Sequence, residues 1–197
     1  MKSKYWILII FSFGILILDQ WTKQVVVKRL ALYQKVEVIQ GFFSLIHVRN
    51  TGGAFGIFGG EKGGLGSVLF IVVSLMAIGT IVFLLVKIKE TERLLALSFS
   101  LVLSGAVGNL IDRFRYGEVI DFLQFYLPFL PWRVFNPWPT FNVADSVICI
   151  GIGLLVIELL KQDKKKLKIP PTQPSKGEGK PACPAYRQEG VTKLFSK

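Results

Sequence analysis

Two stretches far apart in the chain share an Asn-x-x-Asp pattern, "NLID" at 109–112 and "NVAD" at 142–145. On a helix, residues i and i+3 lie on one face, so each asparagine can bond its own aspartate or a substrate carbonyl beside it. Asp19, Asn50, Arg113 and Asp121 add further polar groups in otherwise apolar surroundings. Other catalytic types are scarce, because the chain has one histidine and two cysteines. Two carboxylates held close share one proton, since the second negative charge is repelled. The ionised member takes a proton from water while the protonated member donates to an amide carbonyl. That is peptide hydrolysis without a metal or a covalent intermediate. On residue types alone, Asp112 and Asp121 are both eligible partners for Asp145.

The elements that must position these groups are membrane spans. The 197 residues are 51% hydrophobic and 19% charged, and the mean hydropathy is +0.50. Soluble domains of this size seldom combine such values. A helix crosses the hydrocarbon with about 20 apolar residues. Four segments qualify, at about 5–21, 66–86, 94–111 and 141–160. The second and third carry no charge; Asp19 closes the first, and Asp145 and Glu158 flank the fourth. The first segment continues into "LDQWTK" without a small-residue cleavage pattern and is read as a retained span. The fold class is therefore an all-α membrane protein with four transmembrane helices. Residues 1–161 form the membrane domain, and 162–197 a basic, disordered tail. From Lys161 onward there are ten Lys or Arg against three acids. Lys2, Lys4, "KIKETER" (87–93) and the tail then share one side, assigned to the cytoplasm by their positive charge. The first outer loop opposes this bias with Lys23, Lys28, Arg29, Lys35, Arg49 and Lys62. In it, "KQVVVKRLAL" reads as a segment lying along the membrane surface. "VEVIQGFFSLIHV" (36–48) reads as a strand or hairpin, a small extracytoplasmic β-containing region.

With this topology every unusual polar residue falls at one face of the bilayer. Ionisable groups at membrane depth mark a functional site by default. Plainer roles compete. Asp145 suits an N-cap for the fourth span, with Ser146 assisting. Asp112 and Arg113 suit an interfacial ion pair. Asp19 sits near a helix C-terminus, where the dipole disfavours an acid, and Lys23 at i+4 offsets it. "NTGGAFG" (50–56) lacks the Lys-Ser/Thr ending of a phosphate loop. A single His47 argues against a histidine-based zinc site, and a Ser-His-Asp triad is disfavoured. Cys149 reads as a packed span residue. No metal, cofactor or nucleic-acid partner is expected.

Five motifs in order, "LDQWTK" (18–23), "NTGGAFG" (50–56), "GAVGNLIDR" (105–113), "VIDF" (119–122) and "FNVADS" (141–146), resemble those of the signal peptidase II family of lipoprotein signal peptidases. The resemblance covers roughly residues 5 to 160. It implies an aspartic endopeptidase of the bacterial cytoplasmic (inner) membrane, with its site at the extracytoplasmic face and both termini cytoplasmic. The substrate it implies is a prolipoprotein, cut before a cysteine that carries diacylglycerol. The family's catalytic pair would fall on Asp121 and Asp145. Its supporting positions would fall on Asp19, Asn50, Gly52, Asn109, Asp112, Arg113 and Asn142. Membrane lipid is the other partner, and the four spans suffice for a monomer. One departure is "FLQFYLPFLPWRVFNPWPTFNVA" (122–144), longer and richer in Pro and aromatics than the family pattern. It is expected to rest on the membrane over the substrate. The alternative function is a small proton-coupled transporter, which would place acids near the midplane and on both halves. A non-catalytic lipid- or lipoprotein-binding protein is a third reading.

Overall fold

The computed structural model describes residues 3–52, 65–127 and 136–167. Its four helices and three strands run in the order α1 (Ser3–Arg29), β1 (Lys35–Ile39), β2 (Phe43–Asn50), α2 (Leu65–Lys87), α3 (Arg93–Tyr116), β3 (Val119–Phe125) and α4 (Val143–Leu167). All four helices are long and apolar enough to cross a membrane. The protein is thus an all-α membrane fold with a small three-stranded sheet, as the hydropathy pattern predicts. Residues 128–135 of the long aromatic loop, Trp132 included, and nearly all of the tail lie outside the described residues.

α3 is the central helix, packed against α1, α2 and α4. Its sequence explains why. Ser98, Ser100, Ser104, Gly105 and Gly108 are buried along it, and small residues let helix backbones approach closely where lipid removes the usual hydrophobic drive. The hydroxyls are satisfied within the helix, Ser98 donating to Leu94 O and Ser100 to Ala96 O. Gly108 meets α1 most tightly: a Cβ there would lie 2.6 Å from Asp19 Oδ2. Gly117 ends α3 in the left-handed conformation (φ 73°), its N–H bonding Arg113 O, and the chain turns at once into β3.

At one end Lys4 is buried and donates to Val86 O (3.2 Å) and Ile88 O (2.7 Å). The start of α1 and the α2–α3 connection therefore share that end. At the other end lies the antiparallel sheet, ordered β1-β2-β3. β1 and β2 form the expected hairpin; β3 was not expected from the sequence. Leu45 pairs with Leu123 and Val48 with Asp121, so two β2 residues face one of β3. Such a bulge re-aims the strand beside it, here at Asp121. β3 also holds the chain leading into α4: Phe122 N and Leu123 N both donate to Phe141 O.

Three sequence expectations change here. The tail read as disordered from residue 162 begins as helix, because α4 runs to Leu167. α1 does not stop near residue 21 but continues to Arg29, so the Lys- and Val-rich stretch is its last two turns rather than a separate surface helix. Cys149 is not packed in the bundle but exposed on the outside of α4.

The close α1–α3 approach has a measurable consequence. Gly108→Ala should destabilise the protein by about 1–3 kcal/mol, the usual cost of overpacking. Gly153→Ala, where nothing lies within 4 Å of the added Cβ, should be neutral or stabilising by up to about 1 kcal/mol through helix propensity. Thermal unfolding in detergent distinguishes the two.

Candidate active site

The polar residues singled out in the sequence converge at the sheet end, from three helices and two strands, and they are built around a cation. Lys23 on α1 is buried with 1% of its side chain exposed. Its ammonium has three N–H donors. They reach Asp19 Oδ2 at 2.9 Å, Asp112 Oδ2 at 2.8 Å and Asn109 Oδ1 at 3.0 Å. Asp19 and Asp112 are as completely enclosed as Lys23.

Each carboxylate then extends outward from the cation. Asp19 Oδ1 accepts from Ala144 N at 2.9 Å, in the first turn of α4. Asp19 therefore sits mid-helix in α1 and at the positive N-terminus of α4, where the dipole favours an acid. The expectation of an unfavourable helix end is corrected accordingly. Asp112 accepts from Gln20 Nε2 at 3.0 Å and from Ile120 N at 3.3 Å, one residue before Asp121. Its ion partner is Lys23 rather than Arg113, which corrects the pairing expected from adjacency. Successive helix residues point about 100° apart, so neighbours in sequence cannot share a face. Arg113 Nη1 instead approaches Asn109 O at 3.4 Å, and its guanidinium lies over the Phe70 ring.

The two asparagines carry this framework to a pair of carboxylates. Asn109 turns its oxygen to Lys23 and its Nδ2 to Asp145 Oδ1, at 2.7 Å. Asn142 caps α4. Its Oδ1 accepts from Asp145 N at 2.9 Å while Asp145 Oδ2 accepts from Asn142 N at 3.2 Å, a reciprocal capping box. With its oxygen committed to the cap, Asn142 Nδ2 donates to Asp121 Oδ1 at 2.8 Å. Asn142 thus touches both Asp121 and Asp145. Asn50, diagonal to Asp121 across the β2–β3 ladder, donates to Asp121 Oδ2 at 3.0 Å and accepts from Gly52 N at 2.9 Å. Asn109 does not bond the aspartate three residues on in the way "NLID" suggested; only "NVAD" closes on itself, and at a helix start. Ser146 does not assist the cap but donates to Asn142 O.

Asp121 is buried and its pKa is raised to about 7, by burial first and by the charge of Asp145 second. The donors Asn50 and Asn142 pull the other way and are outweighed. A carboxyl at this value holds its proton for about half the time at neutral pH. Among the described residues no group of three or more His, Cys, Asp and Glu is arranged to hold a metal ion. His47 lies in β2 and bonds Leu30 O through Nδ1 at 3.0 Å, tying the sheet to α1.

All the expected site residues are brought together. Reading the sequence missed the central place of Lys23 and Gln20. The signal was the spacing Asp19–Lys23, a helical i+4 pair, taken only as local compensation.

This fold and site define a class, four-span membrane proteins with acids gathered at one end of the bundle. Residues 11–161 match the family model described as signal peptidase (SPase) II. A lipoprotein signal peptidase of Geobacter sulfurreducens is 42% identical over 166 residues, covering 84% of this chain and 99% of the relative. One from Symbiobacterium thermophilum is 40% identical over 157 residues, covering 80% and 96%. A solved structure titled as a bacterial membrane enzyme, 29% identical, superposes with a TM-score of 0.70 over 86% of this chain and 94% of its own. A second of the same description is 31% identical, with a TM-score of 0.66 over 78% and 92%. The chain belongs to the signal peptidase II family and is a membrane aspartyl protease. Nothing in these comparisons supports the transporter alternative.

Lys23→Met should leave Asp19 and Asp112 buried without a counter-ion, at a cost of about 3–5 kcal/mol; denaturant unfolding should show it. Asp145→Asn should lower the pKa of Asp121, because one of its raising causes is gone, yet leave it above the ordinary carboxyl range, because burial remains. Carbon-13 titration of the Asp121 carboxyl reports both shifts.

Proposed function

We propose that Asp121 and Asp145 are the catalytic pair with which this protease removes signal peptides from prolipoproteins carrying diacylglycerol. The observation that carries the reading is Asn142, which bonds both carboxyl groups and so holds them beside each other. Burial and the neighbouring charge make Asp121 the member that holds the shared proton. Asp145, half-buried, accepts the proton of the attacking water. The water oxygen bonds to the scissile carbonyl carbon as Asp121 donates to the carbonyl oxygen, giving a gem-diol. Asp145 then passes its proton to the amide nitrogen and the C–N bond breaks. A gem-diol hydroxyl returns a proton to Asp121 as the new carboxyl group forms. The products are the signal peptide and an amine on the lipidated cysteine.

Asn109 and Asn50 hold the two carboxyl groups in place, and Asp19, Asp112, Gly52 and Arg113 support the elements that bear them. The spans run about 5–21, 66–86, 94–111 and 141–160 as hydrophobic crossings, with residues 162–197 as a cytoplasmic tail whose first part, to Leu167, continues α4. The site end faces outward from the inner membrane of a bacterium, and both termini face the cytoplasm. Lys4, the 87–93 connection and the basic tail support that orientation by their charge. The protein acts as a monomer.

Purified protein incubated with a diacylglyceryl-modified prolipoprotein tests the assignment. Asp121→Asn and Asp145→Asn should each reduce signal-peptide release by at least about a thousandfold, toward the upper end of what one acid–base group contributes. Chelators should leave the rate unchanged. The proton donor is lost as pH rises through the Asp121 value, so activity should fall from about pH 7 upward. Retained cleavage in Asp121→Asn would move the pairing to Asp112.

A further inference from the structure

The first outer loop is basic where the charge rule asks for the opposite, and the structure accounts for only part of that charge. Lys23 is consumed by the buried cluster. Arg49 stacks on Tyr116 and approaches Glu118. Lys28 and Arg29 remain exposed at the end of α1, and no acid is described beside them.

These two residues end a particular stripe. Ile17, Trp21 and Val25 are exposed at i+4 spacing along α1, and Lys28 and Arg29 continue the same face one turn on. The stripe is apolar for about two turns, with a tryptophan in it, and then cationic. Trp21 marks a membrane–water boundary, where indole rings collect. At about 1.5 Å per residue, the backbone of Lys28 and Arg29 rises about 10–12 Å above it, past a headgroup layer of about 5–8 Å, and their long side chains reach back to the phosphates. A favourable helix dipole explains a base in the last turn. It leaves the neighbouring hairpin unexplained. Residues 31–42 are exposed without interruption, and Leu32, Tyr33, Val36, Val38, Ile39 and Phe42 are large apolar side chains among them. Val36 lies in the regular ladder of β1 and Val38 is the extra residue of a bulge between Glu37 and Ile39; the outer edge of β1 pairs with no strand among the described residues.

We infer that the end of α1 and the β1–β2 hairpin form a lipid anchor: Lys28 and Arg29 bind anionic phospholipid headgroups, and the apolar hairpin side chains enter the leaflet on the site's side. The cations complement headgroup phosphates, and the exposed apolar residues of the hairpin follow them directly in the chain. Basic residues beside an apolar face are the combination that binds anionic interfaces. The anchor fixes the height of β2 and β3 over the bilayer. It does not depend on which aspartates are catalytic.

The test uses full-length protein with Cys149 and Cys183 changed to Ser and a nitroxide label on Val38→Cys. Val36→Cys gives an independent reading from the regular part of the strand. Peptidase activity in detergent certifies that each labelled protein is folded. The proteins are placed in vesicles of phosphatidylcholine, alone or mixed with phosphatidylglycerol. Label collisions with oxygen, which partitions into lipid, should exceed those with an aqueous nickel chelate. That ratio should rise severalfold with phosphatidylglycerol. Lys28→Gln with Arg29→Gln should abolish the rise and leave activity in detergent unchanged. Equal exposure to the chelate in both vesicle types overturns the proposal. So does dipolar broadening between labels that grows with protein density, which would mean that β1 edges pair between two copies.

Discussion

One buried ammonium organises the working end of this protein. Lys23 is enclosed away from solvent, so its charge must be met by protein groups. The three groups that meet it come from α1 and α3, and each is itself bonded onward to another element. Asp19 reaches the start of α4, Asp112 reaches the backbone of β3, and Asn109 reaches Asp145. The cation also settles which way Asn109 turns. Its oxygen is drawn to the ammonium, which leaves only its N–H donors for the carboxylate beyond.

The same logic of commitment operates at Asn142. Capping α4 uses its oxygen, so its nitrogen is what Asp121 meets. Two amides, each fixed at one end by a structural demand, therefore present donors to two acids. The site is an outgrowth of helix packing and helix capping rather than an addition to them. This is why small residues on α3 matter so much: a side chain at Gly108 would push α1 and its aspartate away from the cluster.

Much of this could be read in the chain beforehand, and the limits are physical. Hydropathy marked the four spans because the bilayer imposes a length on each. The convergence of polar residues came from alternating the direction of the spans. Partners were harder. Adjacency suggested Arg113 for Asp112, but helix geometry sends neighbours apart, and the true partner lies on another helix. β3 was missed in "VIDFLQF", because a strand of seven residues after a helix end competes poorly with the pattern of a plain loop. The extension of α1 to Arg29 was hidden because its polar residues break the apolar run, although nothing in them breaks a helix.

The division of the acids among elements has a bearing on biosynthesis. Asp121 lies in β3, whereas Asp145 and the asparagine that bonds both acids belong to the start of α4. A chain emerging from the ribosome carries its first three helices and one carboxyl group while the other is still unmade. Even a completed chain lacks the joined pair until α4 is inserted and docked beside α3. With Asp121 and Asp145 as the proposed catalytic pair, proteolytic capacity would wait on the docking of α4 beside α3.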